Sequence, residues 1–374
     1  MKYLKLIILL LIFWNLPSFA LAYISSMSGT FLSYVTFLLI IVYFFFNKKE
    51  RPIIPFIVLG LLYFVISVLV DTQNTENFLV TFIKYFIFII LVIKLAKDTT
   101  DKEIYIVLLL GSLSILFESI FITDIGGRFS GFYLNPNFAG LICILGYSLS
   151  LSIDNKKLRL LGLILFIIAG LVTFSRTFLL LWILISLVSL ANSYKNVYKI
   201  VIGLVLFSLF LSFGDKFDFN TRRLEAFSTI LDGKISDEMV EDSRTQTWAL
   251  YYYKVLNKPF FGNGYLSFSG KTDGIGENSD SIQGAHNTFL MILGESGIFV
   301  FLYFTAIYGG FIVTGIRVFK DEPFIFLISF SLFIYMLTSH NYFDNYIILF
   351  VSLWLYLKID KKKIIFKKKL AEKI

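Results

Sequence analysis

Long apolar runs alternate with short polar breaks along the whole chain. Runs long enough to cross a bilayer as helices, roughly twenty residues each, lie near 4–22, 29–46, 53–70, 78–95, 104–122, 137–153, 158–174, 176–191, 198–213, 297–316, 324–339 and 345–358. A backbone inside hydrocarbon must satisfy its own hydrogen bonds, and unbroken apolar runs of this length do so as helices. The pattern therefore predicts an all-α polytopic membrane protein with about twelve transmembrane helices. The first run also has features of a signal peptide, with Lys2 and Lys5 ahead of the apolar core and Ala20-Leu21-Ala22 as a cleavage-like site. It is read as a span, because its removal would leave an odd number of spans with the wrong loop charges.

The polar breaks assign the sides. With the N-terminus in the cytoplasm, the cytoplasmic segments are 47–52, 94–103, 154–159, 192–199, 317–323 and the lysine-rich tail after Leu357. Together with Lys2 and Lys5 they hold 23 of the 34 Lys and Arg residues. That is the positive-inside bias, and it predicts cytoplasmic N- and C-termini. The one long polar segment, 214–296 between spans nine and ten, then falls on the external, periplasmic side. Its first part reads as short helices with a turn at Asp232-Gly233, and its second part is rich in Gly, Asn and Ser and reads as loop. No repeat or linker divides the chain, so residues 1–374 form a single membrane domain with one large external loop.

Composition narrows the function classes. With 57% hydrophobic residues, 16% charged residues and a mean hydropathy of +0.78, the chain lies outside the soluble globular range. The net charge of +8 follows from the basic cytoplasmic loops. It marks topology and not nucleic-acid binding, and the lysine-rich tail suits anionic lipid. A single cysteine, Cys143, inside an apolar run excludes a disulfide framework and a cysteine metal site. With only two histidines, no metal and no cofactor are expected.

Four groups reach the external face by topology alone. Arg128 lies in GGRFSGFYLNPNFAG, Arg176 in the tight FSRT hairpin, Arg244 in DSRTQTW, and His286 in QGAHNTFLMILGESG, where the large loop re-enters apolar sequence. Each arginine has a plain reading as a snorkelling or interfacial residue. Arg176 fits that reading least, since a tight hairpin needs no charge. Three guanidinium groups facing one compartment suit a diphosphate, whose oxygens they bind bidentately. An imidazole titrating near pH ~6.5 takes a proton from a sugar hydroxyl at neutral pH, so His286 reads either as an interfacial residue or as a base. Asn287 reads as a helix cap or a supporting contact. Glu295 reads as an orienter of His286 or as a capping or interfacial residue. Lys84 and Glu118 lie near the external ends of their spans, and Lys84 either snorkels or extends an anion site. His340, in the short external loop TSHNYFDNY, reads as an interfacial residue.

In their order along the chain, RFSGFYLNPNFA (128–139), SRT (175–177), SRx3Wx10PFFGxG (243–264) and HNx2Lx2LxExG (286–297) resemble the O-antigen ligase and O-antigen polymerase superfamily of membrane glycosyltransferases. The resemblance covers roughly 128–300. It implies transfer of a glycan from an undecaprenyl diphosphate carrier to an acceptor hydroxyl at the external leaflet. The acceptor is a lipid A-core sugar for a ligase and another lipid-linked repeat for a polymerase, in lipopolysaccharide or other cell-envelope polysaccharide biosynthesis. It further implies that Arg176 and Arg244 hold the diphosphate with Arg128 in support, that His286 is the base, and that Asn137, Asn287, Glu295 and Lys84 are supporting positions. The rival reading is a lipid-linked glycan flippase or transporter. Such proteins place polar groups near the midplane, whereas here the informative groups gather at one face.

Overall fold

The computed structural model describes residues 1–70, 75–122, 128–213, 244–270 and 284–371. The predicted turn at Asp232-Gly233, most of the polar loop and Gln283 lie outside the described residues. The helices are α1 (Lys2–Phe13), α2 (Leu16–Tyr23), α3 (Ser26–Phe45), α4 (Ile54–Val70), α5 (Thr75–Leu91), α6 (Ile93–Asp98), α7 (Asp101–Phe121), α8 (Pro136–Leu149), α9 (Lys156–Val172), α10 (Arg176–Asn192) and α11 (Val197–Phe213). After the polar loop come α12 (Arg244–Asn257), α13 (Thr288–Ser296), α14 (Ile298–Arg317), α15 (Pro323–Met336) and α16 (Tyr346–Ala371). Three short 3₁₀ turns complete the secondary structure among the described residues, and no strand occurs there.

Every apolar run predicted from the sequence is helical. Three of the helices, α3, α7 and α14, are singly long and apolar enough to cross a bilayer. The first run is a pair of helices, α1 and α2, which pass the same test together but are bent by 52°. Asn15 in the left-handed region, φ 50°, and Pro17 in the first turn of α2 account for the bend. Proline cannot continue the hydrogen-bond ladder of α1 and crowds the preceding turn. Helices α4, α8, α10 and α15 are apolar but shorter. Helix α16 runs past the predicted end of its span into the lysine-rich tail.

The chain divides into two compact units. One comprises 1–46, 97–241 and 314–332, and the other 47–96, 242–313 and 333–374. In the first, α8 is the centre: every residue from Phe138 to Leu149 is buried. Glycines let large rings pack against neighbouring helices, as membrane bundles require. Gly146 faces the Phe166 ring, Gly170 the Phe178 ring, and Gly162 the Tyr105 phenol, which donates to the Leu158 carbonyl at 3.2 Å. Lys5 of α1 pairs with Glu103 at 2.7 Å, and the Tyr43 hydroxyl donates to Asp98 at 2.8 Å. The junction of α6 and α7 thus gathers α1 and α3.

The second unit is built on aromatic packing. Phe64 of α4 meets Phe78, Phe82 and Tyr85 of α5 edge-on, with ring centroids 5.5–5.7 Å apart. The Tyr308 hydroxyl donates to Tyr342 at 2.9 Å and lies 2.7 Å from that of Ser352, so this buried chain of hydroxyls is internally satisfied. Outside both cores, Phe31, Leu38, Val201, Leu204, Leu302 and other large apolar side chains remain exposed. Exposed apolar surface on this scale is what a helix bundle presents to lipid.

Candidate active site

The first unit assembles Arg128, Asn137 and Arg176. The stretch after α7 is shaped by Glu118, a buried carboxylate that accepts from the backbone N–H of Ser130 and of Gly131, both at 2.6 Å. Gly131 has φ 55°, and a Cβ there would lie 2.7 Å from the Ile115 nitrogen, so only glycine fits. The LNPNF sequence is a helix start: Asn135 caps α8 by accepting from Asn137 N at 2.9 Å and Phe138 N at 3.2 Å, with Pro136 in the first turn.

This start leaves the Asn137 side chain free to join two other segments. Its Oδ1 accepts from Arg128 Nη2 at 3.3 Å and from Ser175 Oγ at 2.9 Å. Arg128 Nε also donates to the Thr173 carbonyl at 3.4 Å. Ser175 caps α10 through Phe178 N at 3.2 Å, and the preceding Phe174 turns the chain at φ 49°. Arg176 follows as the first residue of α10 and is exposed. Two helix N-termini and two guanidinium-bearing residues are therefore linked through one asparagine. Helix N-termini favour anions through their free N–H groups and their dipole.

The second unit holds the histidines. His286 is half-buried, immediately precedes the cap of α13, and has φ 44°, a conformation uncommon for a side chain with a Cβ. Asn287 caps α13 by accepting from Leu290 N at 3.1 Å. The Thr288 hydroxyl donates to the Ser339 carbonyl at 2.7 Å, which draws the loop after α15 onto the start of α13. That loop brings His340 edge-on to His286, ring centroids 4.7 Å apart and planes at 71°. His340 thus sits beside the candidate base instead of at a bare interface.

Glu295 closes the other end of α13. It is fully buried, and its carboxylate accepts from the Tyr63 hydroxyl, from Phe268 N at 3.1 Å and from Ser269 Oγ at 3.5 Å. Burial pushes its pKa up to about 7, opposed by these hydrogen bonds. The PFFGNG stretch wraps the same helix end, with Asn263 N donating to the Gly294 carbonyl at 2.7 Å and Ile298 N to the Pro259 carbonyl at 2.9 Å. Gly262, at φ 75°, supplies the left-handed turn. Glu295 therefore fixes the 266–269 segment and makes its contacts there. The Ser269 carbonyl in turn receives His340, so Glu295 reaches the histidines through the backbone.

Helix α12 is tied to this segment by Tyr251, whose ring lies 4.7 Å from that of Phe268. Arg244 is the first residue of α12, and its side chain lies outside the described residues. Lys84 is half-buried on α5, beside Tyr85, whose hydroxyl donates to the Phe56 carbonyl at 2.9 Å.

From the sequence, His340 has only an interfacial role, and Ser175, Ser269 and Tyr63 have none. A usable signal existed only for His340, the second of two histidines and placed by topology on the same face as the first.

No curated protein matches the chain. A family model described as O-antigen ligase matches residues 161–305. That stretch takes in Arg176, Arg244, His286, Asn287 and Glu295, while Lys84, Arg128, Asn137 and His340 fall outside it. Four ordered motifs, an all-helical apolar architecture and this match, which takes in 145 of the 374 residues, agree in making the chain similar to the O-antigen ligase family.

Proposed function

We propose that this glycosyltransferase moves a glycan from undecaprenyl diphosphate to an acceptor hydroxyl at the external face of the bacterial inner membrane, within a bundle of about twelve spans whose termini are cytoplasmic. The observation that carries the reading is His286. It is half-buried in a left-handed turn at the head of α13, inside the matched stretch, with a second imidazole against it. A neutral imidazole there accepts the proton of the acceptor hydroxyl as its oxygen attacks the anomeric carbon. The bond from that carbon to the diphosphate oxygen breaks, and the diphosphate leaves with the electron pair. Charge developing on the leaving group is met by Arg176 and Arg244, with Arg128 and the N-termini of α8 and α10 in support. The donor already carries an activated leaving group, so no nucleotide is consumed.

The test is transfer by full-length protein in membranes. His286→Ala, Arg176→Ala and Arg244→Ala are each expected to lower glycan transfer by at least about 10²-fold, the scale of a general base or a charge-stabilising donor, with membrane insertion unchanged. Full activity in any one of them removes that residue from the mechanism. A strain lacking the gene separates the products. One repeat on the acceptor means a polymerase has been lost, and long chains left on the carrier outside the membrane mean a ligase. Carrier-linked glycan trapped inside would instead identify a flippase.

A further inference from the structure

The mechanism above leaves His340 without a task, yet its surroundings are specific. The ring stands edge-on to His286 with centroids 4.7 Å apart. Its far side is held by the Ser269 carbonyl, and Gly284 leaves the room for this contact: a Cβ at 284 would lie 2.6 Å from that carbonyl oxygen and 2.9 Å from His340 Nε2. His340 Nδ1 is buried and has no hydrogen-bond partner among the described residues. Nε2 is the ring nitrogen that shares the space at Gly284 with the Ser269 carbonyl, and the tautomer protonated there leaves Nδ1 as an acceptor lone pair. An unpaired buried acceptor is costly, and such a group in a folded protein calls for an explanation, of which function is one.

Resting on the assignment of His286 as the base, we propose that His340 is a positioning residue whose Nδ1 receives the N–H of His286 opposite the nitrogen that takes the acceptor's proton. That hydrogen bond orients the His286 ring and stabilises the imidazolium formed on it, the part a buried carboxylate plays in hydrolytic triads. At a centroid separation of 4.7 Å the rings are close enough for an N···N separation of about 3 Å once the two nitrogens face one another. Catalytic hydrogen bonds commonly tighten only in the reacting complex. Burial, with the field of His286 added, pushes the His340 pKa down to about 4 against the opposing Ser269 carbonyl. The ring is therefore neutral at neutral pH, with one nitrogen a donor and the other an acceptor. The proton taken from the hydroxyl stays on His286 and leaves to solvent after transfer. His340 changes neither charge nor covalent bonding.

Three substitutions separate this role from simple packing. His340→Gln keeps an amide donor for the Ser269 carbonyl and lacks the Nδ1 acceptor. His340→Phe keeps the ring volume and has neither group. His340→Asn places an amide oxygen near the Nδ1 position. The substrates are lipid-linked glycan and acceptor membranes extracted from a strain lacking the gene, turned over by purified full-length protein in detergent. The Gln and Phe variants are expected to lose about 10- to 100-fold in kcat with donor KM within about twofold of wild type, and the Asn variant to recover to within about fivefold. Wild-type kcat in the Gln or the Phe variant overturns the proposal, as does an Asn variant no faster than Phe. His286→Ala in the same assay keeps the two readings apart. If it is active, the assignment of the base fails. If it is inactive while the His340 variants turn over like wild type, the base stands and only the role of His340 falls.

Discussion

At the scale of single residues, the motif that carries the histidine also carries Glu295, and the two have different roles. The Glu295 carboxyl is fully buried with its pKa raised to about 7 from an ordinary 4.5. Its folded-state pKa exceeds its unfolded one, so the folded protein holds a proton that the unfolded chain releases between those values. Its contribution to stability is therefore complete below pH 4.5 and is lost as pH rises through 7. Replacement by Gln removes the titration and keeps an acceptor oxygen for Phe268 N. In detergent, wild-type Tm is expected to fall more than that of Glu295→Gln between pH 5 and pH 8. Parallel curves would mean that the carboxyl is already ionised in the folded state. The HNx7ExG spacing made Glu295 visible in the sequence, but its partner Tyr63 lies 232 residues away and belongs to an otherwise apolar span. His340 was likewise invisible as a partner of His286, because only the Thr288–Ser339 bond and the fold of the second unit bring the two loops together.

At the scale of elements, helix starts were the legible part. Asn135-Pro136, Ser175 and Asn287 are caps that act within a few residues of themselves, and each accepts from the N–H groups that local chemistry predicts. What pairs one helix start with another was not legible, because Asn137 joins Arg128 and Ser175 across 9 and 38 residues. This joint makes a prediction about donor binding. Asn137→Ala leaves Arg128 Nη2 and Ser175 Oγ without that acceptor, at a cost of about 1–3 kcal/mol, and is expected to lower Tm and raise donor KM. Asn137→Asp restores the acceptor with a charge that competes with a diphosphate for Arg128. It should melt above the Ala variant yet bind donor no better, as read by Tm and donor KM in the same preparations. An Asp variant with wild-type donor KM would remove Arg128 from the anion site.

At the scale of the whole molecule, the count of crossings turns on helices that are apolar but short. Helix α15 is the sharpest case. Its 14 residues span about 21 Å at 1.5 Å per residue, against a hydrocarbon core of about 30 Å. Length alone argues for a re-entrant segment, which would put the loops on either side of it in the same compartment. Charge argues the opposite. The preceding loop, RVFKDEP, carries Arg317 and Lys320, and the following one, TSHNYFDNY, has no Lys or Arg, the asymmetry expected of a crossing helix. Residues beyond the helix ends add reach, and the bilayer thins around short spans at modest cost, so charge should prevail. Cys143, the only cysteine, is buried in α8, which leaves the native chain silent to a membrane-impermeant maleimide. Lys320 and Asn341 are both exposed. Applied outside spheroplasts, the reagent is expected to label Asn341→Cys and to leave Lys320→Cys unlabelled until the membrane is permeabilised. Labelling of both from outside would make α15 re-entrant and change the parity of the bundle. Protection of both would put His340 in the cytoplasm, and with it the histidine pair, on the side opposite to the external face proposed for transfer.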